Sequence, residues 1–158
     1  MGDIQLIKNF TCDAIVDDRL KHYYDQFLID KRDQVTGYDQ LFRIYDEITT
    51  AGIRRSGKVL WFIAYQAEIV GFVTFSRGFL PYQMCIGISD FFIDKPYRQQ
   101  GIGRRAFNMI VGSLFAIYPT AERIGLAVFS GNTAAKTLYA SMGFTNTLEV
   151  MVLEKPRL

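Results

Sequence analysis

Seven consecutive residues, Arg98-Gln99-Gln100-Gly101-Ile102-Gly103-Arg104, carry the plainest chemistry in this chain of 158 residues. They follow an apolar, strand-like run, Ile88-Ser89-Asp90-Phe91-Phe92-Ile93, and open a long apolar helical pattern from Arg104 to Tyr118. Glycines at a strand-to-helix junction let the backbone come close to a ligand. The first amides of a helix have no internal partners, and the helix dipole adds positive potential there. Arg98, Arg104 and Arg105 bring further positive charge to the same end. Together these features suit a phosphate or pyrophosphate, so the loop predicts a phosphorylated cofactor.

More than one reading of the loop is open. Gly101-x-Gly103-x-x-Ala106 satisfies the dinucleotide fingerprint G-x-G-x-x-G/A. In that fold the glycines follow the strand almost at once, and a ribose-binding acid comes about 20 residues later at a strand end. Here Asp94 to Gln100 intervene, Pro96 among them, and the nearby acid, Glu122, precedes its strand. A glycine-rich turn that binds nothing is the third reading.

A second stretch narrows the choice. Ile124-Gly125-Leu126-Ala127-Val128-Phe129 reads as a strand. Asn132-Thr133-Ala134-Ala135-Lys136-Thr137-Leu138-Tyr139 follows, then Ala140-Ser141-Met142-Gly143-Phe144. The two stretches, in this order, resemble the GNAT superfamily of N-acetyltransferases. Its motif A is R/Q-x-x-G-x-G/A after a bulged strand, matched by Arg98, Gly101 and Gly103. Its later signature is a strand, an asparagine, a helix with a tyrosine seven residues on, and a G-F pair. The resemblance covers roughly residues 59–154, and more loosely the whole chain.

The resemblance implies an α/β fold in one domain over residues 1–158. Its sheet is central, mixed and mostly antiparallel, with six to seven strands, one of them bulged, and about four flanking helices. It implies acetyl-CoA as cosubstrate. Backbone groups of Phe91 and Ile93 would hold the acetyl carbonyl and the pantetheine arm, and amides of Gln99, Gln100, Gly101, Ile102, Gly103 and Arg104 the pyrophosphate. Asn132 would orient the pantetheine end and cap its helix. Tyr139 would be the general acid beside the cofactor sulfur; without the motif it reads as an amphipathic core tyrosine.

The general base is less plainly written. Many relatives carry a glutamate where this chain has Ala127. Polyamine acetyltransferases show L-E-D-F-F-V where this chain reads Ile88-Ser89-Asp90-Phe91-Phe92-Ile93, so Ser89 replaces the glutamate and Asp90 is the nearest carboxylate. Asp90 either serves the acceptor amine, directly or through water, or is a structural acid bonded to a loop. The expected acceptor is a small cationic amine, polyamine-like or aminoglycoside-like. A protein N-terminus or lysine is the second acceptor class, and a non-catalytic acyl-CoA-binding module is the alternative of another kind.

Composition narrows the partners. Hydrophobic content of 49% and charged content of 22% are globular values. A net charge of +2 makes no case for nucleic acid or a membrane surface. The charge is uneven: residues 1–50 hold ten acids against six bases, and the glycine loop lies in the basic remainder. An acidic N-terminal wall suits a cationic acceptor, although Asp17, Asp18, Asp30, Asp33 and Asp46 also read as solvated faces and caps. Cys12 and Cys85 read as free thiols in a reducing compartment, and a cytoplasmic location is expected. The single His22 and scattered acids show no metal-ligand spacing, so no metal is expected. No secretory leader is visible, and the uncharged run from Ala106 to Ala121 is short for a membrane span. Edge strands of such sheets often pair, which allows a homodimer.

The elements that must position these residues follow from periodicity. Ile4 to Phe10 reads as a strand. Asp13 to about Asp33 reads as a helix through Ile15, Leu20, Tyr23, Tyr24, Phe27 and Leu28. Tyr38 to about Ala51 reads as a second helix ended by Gly52. Val59–Tyr65 and Ile69–Phe75 are strands joined at Gln66-Ala67-Glu68. A looser segment from Arg77 to Gln83 leads into the strand before the glycine loop. Pro119 stops the next helix, and Leu148 to Leu153 is a last strand.

Overall fold

The computed structural model describes residues 2–8, 13–31, 49–79 and 82–148. Its elements in chain order are β1 (Ile4–Ile7), α1 (Asp13–Lys31), α2 (Thr50–Arg55), β2 (Val59–Tyr65), β3 (Glu68–Phe79), β4 (Tyr82–Ile93), a 3-10 turn (Lys95–Tyr97), α3 (Ile102–Ile117), β5 (Arg123–Leu126) and α4 (Thr133–Ser141). The five strands form one sheet in the order β1-β2-β3-β4-β5, antiparallel throughout except for the parallel β4–β5 pair. The expected tail strand from Leu148 falls almost wholly outside the described residues, and so does most of the expected helix from Tyr38.

Two apolar layers sandwich the sheet. On one face Val16, Leu20, Tyr23 and Tyr24 of α1 pack with Ile53, Leu60, Phe62, Phe72 and Phe92. On the other, Ile102, Ala106, Phe107, Ile110 and Leu114 of α3 recur at helical spacing and meet Ile63, Val73, Phe75, Ile86 and Ile88. In α1 the apolar stripe runs through Val16 rather than Ile15, which is exposed.

Three local readings are corrected. Gly52 does not end a helix; it lies buried inside α2, whose N-terminus is capped by the Thr49 side chain accepting from Gly52 N. Asp17 of α1 reinforces this end, its Oδ1 accepting from Thr50 N at 2.7 Å, so this acid is a cap supplied from another helix. Arg77–Phe79 and Tyr82–Gln83 are strand rather than a looser segment. β3 runs to Phe79 and β4 starts at Tyr82, forming a long hairpin whose extra ladder bonds a periodicity argument cannot see. β5 stops at Leu126, so Ala127-Val128-Phe129 leaves the ladder.

The feature that positions the site is a bulge in β4. Thr74 pairs with Asp90 and Phe75 with Ile88, so Ser89 is an extra residue. Side chains alternate along a strand, and one extra residue reverses the parity. Ile86 and Ile88 therefore share the α3 face with Phe91 and Ile93, while Phe92 packs on the α1 face. The parallel pairing of β4 with β5 ends at Ile88–Leu126, where the bulge begins. Beyond it the two chains diverge, and the edge of β4 past the bulge has no β5 partner.

Candidate active site

The divergence opens a cavity of about 950 Å³. One wall is Ser89 to Ile93 of β4, the other is Ala127 to Phe129 and the start of α4, and the glycine loop closes one end. Of the twelve residues singled out from the sequence, all but Gln100 and Ile102 line it. The Gln100 side chain donates to Pro96 O at 2.8 Å, and the Ile102 side chain is buried in the core. Only their backbones lie in the loop proper.

The loop geometry follows from its glycines. Gln99 and Gly101 both have positive φ, 59° and 75°, and Gly101 is the N-cap of α3 without a side-chain cap. The first intrahelical bond runs from Arg105 N–H to Gly101 O, so the amides of Ile102, Gly103 and Arg104 precede the ladder. A Cβ on Gly103 would meet only Ile93 Cγ1, at 3.6 Å, and one on Gly101 nothing within 4 Å. Backbone amides and open space coincide at a helix N-terminus, which is an anion-binding arrangement.

Arg98 is more constrained than the sequence suggests. Its Nε donates to Ile93 O at 2.7 Å, its other nitrogen lies 2.7 Å from Asp30 Oδ2, and the guanidinium stands 5.2 Å from the Phe92 ring centroid. It staples the end of β4 to α1 and supplies the cavity with positive charge rather than a free fork. Asp30 thereby gains a partner while staying partly exposed to solvent. Arg104 also lines the cavity and reaches Ser141 O at 3.3 Å, tying α3 to the end of α4.

Asn132 caps α4, its Oδ1 accepting from Ala135 N at 3.2 Å. That cap sets the phase of the helix and puts Leu138 and Tyr139 on the cavity side. The Tyr139 ring packs against Phe107 and Phe144, with centroids at 5.2 and 5.8 Å. Burial pushes its phenol up to about 12, so it is a proton donor throughout the neutral range. Its hydroxyl makes no hydrogen bond to a described residue.

Asp90 lies on the α1 side of the cavity. Its Oδ2 accepts from Tyr24 OH at 2.9 Å and from Thr74 Oγ1 at 2.5 Å. Burial first, then the Asp90 charge and the bond to it, push the Tyr24 phenol far up. Asp90 makes no ion pair with a described residue. Tyr24 and Thr74 were not legible as site residues: one reads as a core aromatic of α1, the other as a strand residue, and they meet Asp90 only through the fold. Among the described residues no group of three or more His, Cys, Asp or Glu could hold a metal ion, and no helix is long and apolar enough to cross a membrane.

Known proteins share this architecture. A Bacillus subtilis protein provisionally assigned as an acetyltransferase, YycN, superposes with a TM-score of 0.74 at 21% identity, over 98% of this chain and 100% of that one. An aminoglycoside acetyltransferase, meta-AAC0020, from an uncultured soil metagenomic sample superposes with a TM-score of 0.61 at 15% identity, over 99% and 96%. At such identities these likenesses show the fold. In sequence, 86 residues are 30% identical to a Bacillus subtilis subsp. natto protein named "Probable spermine N(1)-acetyltransferase". That match spans 51% of this chain and 55% of the relative, about half the length of each. The model of the acetyltransferase (GNAT) family matches residues 14–144, well over half of the chain, a span that includes both the glycine loop and the stretch from Asn132 to Tyr139. The chain belongs to the GNAT family of acetyltransferases.

Proposed function

We propose that this protein transfers an acetyl group from acetyl-CoA to the primary amine of a small cationic molecule. The observation that carries the reading is the joining of two chemistries in one cavity, an anion-binding helix N-terminus at the loop and an acid-bearing pair, Asp90 and Tyr139, along its walls. The loop fits the cofactor's pyrophosphate on three counts: amides that precede the α3 ladder, open space at Gly101 and Gly103, and the Arg104 charge. Phe91, Ile93 and Asn132 would hold the pantetheine arm along the opened edge of β4. When bound, acetyl-CoA supplies the acyl group as a thioester.

The residues of the chain then have distinct tasks. An alkylamine with a pKa near 10.4 is only about one part in two thousand neutral at pH 7. Asp90 attracts the ammonium and takes a proton from it, directly or through water. Tyr139, held protonated by burial, donates to the departing sulfur. The cationic character of the acceptor rests on Asp90, a half-buried carboxylate with no cation among the described residues. The names of the spermine and aminoglycoside acetyltransferases lend the same direction. The buried free thiol of Cys85 is in keeping with a reducing, cytoplasmic setting.

The test is acetyl-CoA consumption across polyamines, aminoglycosides, amino acids and peptides. Turnover with small cationic amines is expected, together with a rise in melting temperature on acetyl-CoA and none on NADH. Ligand at 100 times its dissociation constant stabilises by about 2.7 kcal/mol, which a thermal shift detects. Turnover confined to peptides would replace the acceptor class. A response to NADH alone would replace the cofactor.

A further inference from the structure

We infer that Tyr24 and Thr74 are positioning residues that pin the Asp90 carboxylate so that Oδ1 alone receives the acceptor amine. The inference rests on the proposed transfer of an acetyl group to an amine and assigns roles to two residues that nothing in the motif pattern marks.

The geometry is asymmetric. Both hydroxyls donate to the same oxygen, Oδ2, at 2.9 and 2.5 Å. No described residue bonds Oδ1. A carboxylate turning about its Cβ–Cγ bond exchanges its two oxygens; two donors converging from different elements oppose that rotation. Thr74 stands directly opposite Asp90 in the β3–β4 ladder and is 0% exposed. Tyr24 reaches in from α1, its ring 5.1 Å from Phe72 and 6.0 Å from Phe27, so packing fixes the phenol before it meets the acid. With Oδ2 occupied by two O–H donors, a proton taken by Asp90 settles on Oδ1.

Charge points the same way. The charged residues that line the cavity with Asp90 are Asp30, Arg98 and Arg104. Arg98 is committed to Asp30 and Ile93 O, and Arg104 reaches Ser141 O. Two buried hydroxyls, of Thr74 and Tyr24, are spent on one half-buried carboxylate that has no cation among the described residues, where valine and phenylalanine would pack as well. The acceptor ammonium would supply the opposite charge. In the step that follows, an N–H bond of the ammonium breaks, its proton goes to Oδ1, and the electron pair stays on nitrogen as the nucleophile.

The experiment uses the full chain with spermine, sisomicin and phenethylamine as acceptor probes, taking kinetics with whichever is turned over fastest. Variants are Tyr24→Phe, Thr74→Val, the double variant and the conservative Thr74→Ser. Tyr23→Phe is the control, since its hydroxyl donates to Ile69 O instead. Calorimetry gives CoA affinity, and amine affinity in the presence of CoA, independently of turnover. We expect weaker amine binding and a kcat/KM lower by about 10- to 100-fold in Tyr24→Phe and Thr74→Val, the scale of a hydrogen bond to a charged group. CoA affinity should hold, and Thr74→Ser should recover most of the loss. Wild-type amine affinity and kinetics in both single variants would overturn the inference. So would an equal loss in Tyr23→Phe, or a loss matched by weaker CoA binding and a lower melting temperature that Thr74→Ser does not recover. If the wild-type chain acetylates none of the probes, the small-amine reading fails first and this inference with it; that outcome is distinct from an active wild type with unaffected variants.

Discussion

Tyr139 joins a packed ring to a hydroxyl that bonds no described residue, so ring and hydroxyl can be separated by mutation. Tyr139→Phe keeps the contacts with Phe107 and Phe144. Melting temperature and acetyl-CoA affinity should hold while kcat falls by roughly 10²–10⁴-fold, the usual range for a general acid. Stopped-flow or steady-state rates check this, and full activity would assign the phenol to packing. With the phenol pushed up to about 12, its deprotonation should not limit kcat below that region. Asp90→Asn makes a complementary prediction. It removes the charge but keeps the shape, so kcat/KM should fall at neutral pH and recover as pH approaches the amine pKa near 10.4, where the acceptor arrives neutral. A flat ratio of variant to wild type from pH 6 to 9, measured as kcat/KM, would make Asp90 a structural acid.

At the scale of elements, the bulge in β4 and the N-terminus of α3 work together. The bulge ends the β4–β5 ladder and frees an edge, and the helix aims its first amides across the gap. Gly103 is where both constraints meet. A Cβ there touches only Ile93 Cγ1 at 3.6 Å, so the folded chain has room for a small side chain. Gly103→Val should therefore fold, with some cost from a β-branched residue in the first turn, and bind acetyl-CoA more weakly because its methyls occupy the phosphate space. Circular dichroism and calorimetry separate these effects; unchanged affinity in a folded variant would move the cofactor elsewhere. The Arg98–Asp30 bridge belongs to this scale too. About a third of each side chain is exposed, so it contributes about 0–1 kcal/mol to stability. Its value is orientation, since it fixes the loop to α1.

Over the whole molecule, aromatic packing couples stability to alkaline pH. Tyr23, Tyr24 and Tyr139 all hold their phenols above the ordinary value of 10, with burial the leading cause in each. Tyr23 and Tyr139 are pushed to about 12. A raised phenol is a stabilising term that is fully present below about pH 10 and is lost as pH climbs through the folded value, because the unfolded chain ionises first. Melting temperature should thus be insensitive to these groups up to about pH 10 and fall between about pH 10 and 12. Tyr24→Phe, which removes one such phenol, should lessen the alkaline drop. A melting curve equally steep in the variant would mean that Tyr24 contributes nothing to it.

The end of the cavity proposed for the cofactor was legible in the chain alone. Glycines at positions 101 and 103, arginines around them and an asparagine seven residues before a tyrosine are local in the chain, and the physics they invoke, orphan amides and a helix cap, is local as well. The strand at Val59–Tyr65 and the helix at Asp13–Lys31 were legible because local apolar patterns need no distant partner to be seen, and the helix at Thr133–Ser141 because of its Asn-to-Tyr signature. The surroundings of Asp90, the end proposed for the acceptor, became visible only in the folded chain. Asp90 meets Tyr24 across 66 residues and Thr74 across 16, and Arg98 meets Asp30 from another element. The length of the β3–β4 hairpin and the place of its bulge depend on ladder bonds between chains that periodicity treats separately. A carboxylate is read from the sequence as a charge; which of its oxygens is held, and by what, is set by the packing of a helix against a sheet.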